Sequence, residues 1–367
     1  MIDVLATGLV YRNPEPERRA VHAWHPSIIV LDDGELFASF DLASGVEALD
    51  YQTYKARSSD GGVTWSAPEL LVEISTTRPT TGGIRVSLLR DGTLVGIGGR
   101  TYRDVHGGQL VNRKNLGHAP MDLITTHSSD RGHTWSTPEI LQPPVWSPAW
   151  EVCHHIVELA DGRWLAPMAP WRGWDGEEPI GAMALAFVSD DRGRTWPDHL
   201  VLIDETHRGV FSWEVSLRQL SDGRLLATAW AFDSATGGTE PNPYAISADG
   251  RTFSEPRSTG IQGQTGKLLV LPNDRILFVY RHDQRPGLWA NLSRLEGDDW
   301  VNLAEAPLWE GASSSMTGAT ASSGQELVDL PFGFPSLALL PNGDVYVAFW
   351  CQEDEIYNIR WYRLRIA

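Results

Sequence analysis

Ser58-Ser59-Asp60-Gly61-Gly62-Val63-Thr64-Trp65 decides how this chain is read, because the pattern comes back twice. The copies are Ser128-Ser129-Asp130-Arg131-Gly132-His133-Thr134-Trp135 and Ser189-Asp190-Asp191-Arg192-Gly193-Arg194-Thr195-Trp196. Ser-x-Asp-x-Gly-x-Thr-Trp describes a tight turn between two strands. Asp and Ser side chains bond nearby turn amides, Gly supplies a backbone angle closed to other residues, and Trp packs a large ring under the turn. Two degenerate copies follow. Ser247-Ala248-Asp249-Gly250-Arg251-Thr252-Phe253 is one residue short, and Ser293-Arg294-Leu295-Glu296-Gly297-Asp298-Asp299-Trp300 has lost the Asp at the third position.

A second repeat interleaves with the first: an apolar strand, an Asp-Gly type turn and another apolar strand. It runs over residues 26–41 around Asp33-Gly34, 85–100 around Asp91-Gly92, and 154–169 around Asp161-Gly162. It continues over 215–232 around Asp222-Gly223, 267–281 around Asn273-Asp274, and 335–351 around Asn342-Gly343. Such dipeptides between β-prone runs are the strongest short-range hairpin signal. Between consecutive hairpins lies room for one more, and there the Ser-x-Asp-x-Gly-x-Thr-Trp turns fall. Each unit therefore reads as four antiparallel strands, and six units make an all-β, six-bladed propeller in one domain spanning residues 1–367. The last unit lacks its Asp turn; the N-terminal run 3–12 is expected to supply its fourth strand. No helix-period segment of useful length is present.

Composition narrows the partners. A formal net charge of −17 argues against nucleic acid and against anionic membrane surfaces, yet leaves room for a local Arg cluster. The 16 Trp, with 35 Gly and 23 Pro, suit short strands joined by turns, or a surface that stacks on sugars. Cys153 and Cys351 are the only cysteines, so no disulfide framework and no cysteine metal spacing exist. The His residues also lack metal-site spacing, and neither metal nor cofactor is expected. The N-terminus shows no basic region followed by an apolar run, and no stretch has the roughly 20 apolar residues of a membrane span. A cytoplasmic protein is the expectation, although a secreted chain stripped of its leader would read the same. Oligomeric state is not encoded in any motif.

Chain direction sorts the loops, since both kinds of turn lie at one end of the strands. A site built by several blades belongs at the other end, where first strands begin. Counting nine residues back from each Asp-Gly turn gives His25, Gly83, Cys153, Glu214, Thr265 and Phe334. Two residues further back lie Ala23, Thr81, Glu151, Ser212, Gly263 and Phe332. Glu151 and Glu214, on adjacent units, stand out.

The repeated Asp turn resembles the Asp-box of the sialidase (neuraminidase) superfamily, and the resemblance covers essentially the whole chain. It implies a propeller acting on carbohydrate, with Asp60, Asp130, Asp190 and Asp191 holding hairpins on the face away from the site. Sialidases place an Arg two residues before a Pro at the start of the first strand; here the run is Trp24-His25-Pro26. Their Glu at the start of the fourth first strand matches Glu214. Their second Arg, sixteen residues on, is Trp230 here, and their nucleophilic Tyr is Phe334 in Gly333-Phe334-Pro335-Ser336-Leu337. Trp offers no bidentate charged fork and Phe no nucleophile. The resemblance therefore implies exo-acting glycoside hydrolysis, with a substrate other than a sialoside.

Glu214 and Glu151 are the expected catalytic pair, an arrangement also similar to that of exo-arabinanases, whose two Glu residues serve as acid and nucleophile or base. Asp50 and Glu47, in the 42–51 loop that starts at Asp41, are candidates for the loop acid of sialidases. Trp24, His25, Arg100, Trp230, Arg281 and Phe334 are the candidate substrate contacts. His25, with His154, His155 and Tyr102, keeps a polysaccharide lyase in play, where Arg100, Arg103 or Arg281 would neutralise a uronate. Trp171 and Trp174 suit a pocket rim. A sugar-binding propeller without catalysis is the third reading.

Overall fold

Every one of the six expected turns joins two antiparallel strands in the computed structural model, which describes residues 1–45, 47–311 and 330–367. The turn glycines Gly34, Gly92, Gly162, Gly223 and Gly343 have φ of 84–90°, and in the fifth turn Asp274 takes the left-handed angle at 57°. The main sheets make up six blades, each built on four antiparallel strands, giving an all-β six-bladed propeller. Helix is confined to the single 3₁₀ turns His106–Gly108 and Thr206–Arg208 among the described residues.

Blade 1 consists of His22–Val30, Leu36–Ala43, Gln52–Ser58 and Glu69–Leu70. Blade 2 starts with the interrupted strand Thr80–Thr81 and Ile84–Leu88, then Leu94–Tyr102, Met121–Ser128 and Glu139–Leu141. Blade 3 starts with Ala149–Glu151 and Val157–Glu158, then Trp164–Trp171, Ala184–Ser189 and Asp198–Ile203. Blade 4 is built on Val210–Gln219 and Leu225–Asp233, and blade 5 on Gly263–Val270 and Ile276–His282. Blade 6 comprises Phe332–Leu339, Val345–Glu353, Ile356–Ile366 and the N-terminal strand Ile2–Arg12, which pairs antiparallel with Ile356–Ile366 as expected. The chain forms two compact units. One holds Met1–Leu110, Met121–Ile140 and Pro331–Ala367; the other holds Val111–Pro120 and Leu141–Leu330.

The Asp-boxes are structural. Asp60 Oδ1 accepts from the Ser58 hydroxyl at 2.8 Å and from the amides of Val63 and Thr64, while Oδ2 accepts from the Thr64 hydroxyl at 2.6 Å. Those donors, the Thr64 hydroxyl foremost, hold the carboxyl well below the usual range. The Asp130 carboxylate accepts likewise from the Ser128 hydroxyl and from the Thr134 amide and hydroxyl, and Asp191 is lowered to about 2 by the Thr195 amide and hydroxyl. Boxes also fasten blade to blade. Tyr346 of blade 6 donates to the Gly62 carbonyl at 3.0 Å, and Lys55 of blade 1 to the Gly132 carbonyl at 2.9 Å. The degenerate copy at 293–300 is instead a tight hairpin in which Glu296 pairs directly with Asp299.

Gly132 shows why the box needs glycine: φ is 84°, and an added Cβ would sit 2.6 Å from the Phe37 ring. Gly132→Ala is expected to cost about 2–3 kcal/mol in urea unfolding, from backbone strain plus overpacking. An unchanged midpoint would contradict this account of the blade 1–blade 2 seam.

Candidate functional site

The position nine residues before each turn is special in every blade. His25, Glu214, Thr265 and Phe334 there have φ of 49–54°, in the left-handed region that side chains with a Cβ rarely adopt. At each of them strand pairing skips, between Trp24 and Ser27, Trp213 and Ser216, Gln264 and Lys267, and Gly333 and Ser336. In blades 2 and 3 the first strand is broken at the same place. Bulges of this kind re-aim a side chain out of the alternation of the strand and are common beside active sites.

In the first unit the bulge at His25 faces a buried carboxylate. Asp41, wholly enclosed at the end of its strand, takes five donor atoms. Arg85 Nη1 and Nη2 reach Oδ2 at 3.1 Å each, the Tyr51 hydroxyl donates to Oδ2 at 2.8 Å, and the Thr53 hydroxyl to Oδ1 at 2.6 Å. His25 Nδ1 lies 3.1 Å from Oδ2 and 2.8 Å from the Tyr51 oxygen. Burial pushes the Asp41 carboxyl up, but Arg85 and the hydrogen bonds outweigh it and leave it below its ordinary value. Gly83 makes room: a Cβ there would stand 2.9 Å from Asp41 Oδ2. Aromatic rings wall the group. Phe334 meets His25 edge-on at 4.9 Å with the Arg85 guanidinium 5.2 Å from its centroid, and Trp24 stacks on Trp350 at 5.2 Å.

In the second unit the two expected carboxylates come together. The Glu214 amide donates to Glu151 Oε2 at 3.1 Å, so buried Glu151 pins the bulge that carries Glu214. Glu214 is part-exposed as a residue, but its Oε2 is enclosed and has no hydrogen-bond partner among the described residues. Burial pushes its carboxyl up to about 7; Lys267 and Arg281 pull the other way, and the Glu151 charge adds to the rise. Arg281 donates through Nε to Gln264 Oε1 at 2.7 Å. A second aromatic group adjoins the strand, with Trp171 stacked on Trp213 at 4.5 Å and Trp230 against Phe232 at 5.2 Å.

The Asp50 carboxylate accepts from the Ser44 amide and hydroxyl at 2.9 and 3.0 Å, and the Glu47 carbonyl accepts from Arg103 at 2.6 Å. Both shape the 42–51 loop, whose buried carboxylate is Asp41. Arg100 is buried and donates to the Ile74 carbonyl. His154 donates from Nδ1 to the His155 carbonyl and accepts at Nε2 from Arg218, which makes it a neutral structural acceptor. The 111–118 hairpin braces the Trp171–Trp174 loop, for the Trp171 indole donates to the Leu116 carbonyl. Among the described residues no three His, Cys, Asp or Glu are placed to hold a metal.

Sequence reading missed Tyr51, Arg85 and Lys267. The signal was present, because counting two residues forward from the bulge position gives Arg85 and Lys267, cations inside strands that are otherwise apolar.

Residues 109–347 match the family model described as "BNR repeat-like domain". A sialidase from Micromonospora viridifaciens is 30% identical over 235 residues, 61% of this chain and 34% of that protein, so the chain spans about a third of its length. Among solved structures, a protein of unknown function from Dyadobacter fermentans DSM 18053 superposes with a TM-score of 0.75 at 21% identity, covering 100% of this chain and 99% of that one. The intramolecular trans-sialidase of Ruminococcus gnavus, in complex with oseltamivir carboxylate, does so with a TM-score of 0.65 at 14% identity, covering 97% of each chain. With repeats, blades and boxes in place, this chain belongs to the BNR repeat-like family and has the sialidase-type propeller fold.

Proposed function

We propose that the chain hydrolyses terminal glycosidic bonds of a glycan other than a sialoside, with Glu214 as general acid and Glu151 as the second carboxylate. The observation that carries this reading is the Glu214 carboxyl: set on a bulge, enclosed at Oε2, and protonated up to about pH 7. A carboxylic acid kept neutral near the working pH is what protonation of a leaving glycosidic oxygen requires. Glu151 fixes its aim through the Glu214 amide and keeps a negative charge beside it. Lys267 and Arg281, whose charges act on Glu214, are the nearby cations that would partner a carboxylate on the sugar. Trp24, Trp230 and Phe334, standing where sialidases have Arg, Arg and Tyr, supply neither a charged fork for a substrate carboxylate nor a phenol nucleophile, and so argue against sialic acid.

The test is a panel of chromogenic glycosides covering pentofuranosides, neutral hexosides, uronides and a sialoside. Release of reducing sugar from one of the first three classes, with the sialoside turned over at least tenfold more slowly, is the expected result. Sialoside as the best substrate would refute the reading of the three aromatic replacements. An ultraviolet-absorbing unsaturated product would establish a lyase instead. Binding without product would leave a sugar-binding propeller.

A further inference from the structure

We infer that the groove between blades 4 and 5 is a second sugar-binding site, taking a short stretch of uncharged oligosaccharide through hydrogen bonds. It goes beyond the hydrolytic reading, for the Glu214 pair does not use it. Both blades belong to the unit that holds Leu141–Leu330. Pro243–Ser247 and Arg257–Ser258 are the outer strands of blade 4, Leu288–Glu296 and Asp299–Trp309 those of blade 5. The groove encloses about 660 Å³, within the roughly 300–1,000 Å³ of small-molecule sites. Its blade 4 wall is the chain at Pro241, Gly260 and Ile261, with apolar surface for the C–H edges of a sugar ring.

Strand register explains the other wall. Phe278 pairs with Asn291, and Asn291 with Glu305, so all three share a face of the blade 5 sheet. His282, four residues beyond Phe278 in the same strand, shares it too. Successive side chains of a strand point to opposite faces, so Arg281, whose charge acts on Glu214, looks the other way.

This wall carries planar groups with bonds left to make. Asn291 lines the groove and is only 4% exposed. The Ser293 hydroxyl lies 2.5 Å from Asn291 Oδ1 and 3.1 Å from Asn302 Oδ1, and its one hydrogen goes to one of them. Whichever way the Asn291 carboxamide is turned, its other polar atom has no partner among the described residues. Gln284 Nε2 donates to Gln262 Oε1 at 2.5 Å, which leaves a donor on Gln262 and an acceptor on Gln284 likewise unpartnered. Charges are already matched. Arg285 lies over Trp289 at 3.8 Å, donates through Nε to His282 and pairs with Glu305, whose other oxygen accepts from Tyr280. Asp283, 3.4 Å from the His282 ring, weighs against an anionic ligand. Donors and acceptors on held planar groups, with no surplus of positive charge, match the hydroxyls of a neutral sugar.

The test is saturation-transfer NMR on the full chain carrying Glu214→Gln, so that nothing is cleaved. The probes are neutral tri- and tetrasaccharides from arabinan, xylan, mannan, cellulose and galactan, with sialyllactose as the charged control. At least one neutral fragment should bind, and sialyllactose at least tenfold more weakly. Asn291→Ala, or Gln262→Ala with Gln284→Ala, should weaken that fragment by about tenfold. Gln284 is exposed and Gln262 part-exposed, so the double variant should keep its urea midpoint, and its lost affinity then reports the groove. No neutral fragment bound at millimolar concentration, affinity within twofold in both groove variants, or sialyllactose as the best ligand would each overturn the inference. If the wild-type protein cleaves no glycoside, the functional reading falls, while affinity lost in the groove variants still establishes the second site.

Discussion

Glu214→Gln is expected to abolish turnover and, above neutral pH, to make the protein more stable than wild type. Loss of a general acid lowers kcat by about 10²–10⁴-fold, and the wild-type rate itself should fall as pH rises through about 7, where Glu214 gives up its proton. The stability effect has the opposite sign because the same proton is at issue. In the unfolded chain the carboxyl ionises near its ordinary value of 4.5; in the folded chain burial holds it protonated to about 7. A raised carboxyl contributes stability that is fully present below about 4.5 and lost as pH rises through about 7. The difference, 7 − 4.5, corresponds to at most ~3 kcal/mol at ~1.4 kcal/mol per pH unit. Water reaching this part-exposed residue reduces that to about 1–2 kcal/mol. Gln carries no charge to desolvate. Urea unfolding of both proteins on either side of this window should show near-equal stability at the acidic end and the Gln variant ahead at the alkaline end. Equal midpoints throughout, or an active Gln variant, would remove Glu214 from the acid role.

Such a trade of stability for reactivity is what the repeat pattern made findable. The Asp-Gly turns are local signals, since the backbone angle a hairpin needs is written in the dipeptide itself, and they located all six hairpins. Counting back from them reached His25, Glu214, Thr265 and Phe334, each of which is at left-handed φ. The bulge itself was not legible, because none of these is glycine and nothing local favours the angle. Tertiary partners impose it, as the Glu151 carboxylate does on the Glu214 amide. Asp41 was hidden for a related reason. A lone acidic residue at a strand end reads as solvated, and its meaning lies in Arg85, forty-four residues away, and in Tyr51 and Thr53 across a loop. Asp50 and Glu47 sit where a loop acid belongs; the Asp50 carboxylate accepts from the Ser44 amide, and the Glu47 main-chain carbonyl accepts from Arg103.

Asp41→Asn tests how much of the first unit hangs on that hidden carboxylate, and the expected cost is about 3–5 kcal/mol in urea unfolding. The substitution keeps shape and volume but removes the charge from beneath Arg85, whose side chain is only 7% exposed. It also puts an amide N–H₂ among donors. One carboxamide oxygen cannot serve Arg85, Tyr51, Thr53 and His25 at once, so at least one buried donor loses its acceptor, at about 1–3 kcal/mol. The wild-type protein should also carry an acid-labile contribution here. Asp41 ionises below its ordinary 3.8 when folded, so its stabilisation is complete above that value and is lost as pH falls through the lower folded one. Asp41→Asn should flatten that acid limb of the stability profile. Pairing it with Arg85→Met separates charge from packing: the double variant should be more stable than Asp41→Asn alone, because the buried guanidinium that lost this carboxylate is gone. Were Asp41→Asn to cost under 1 kcal/mol, the carboxylate would not be the anchor its five donor atoms describe.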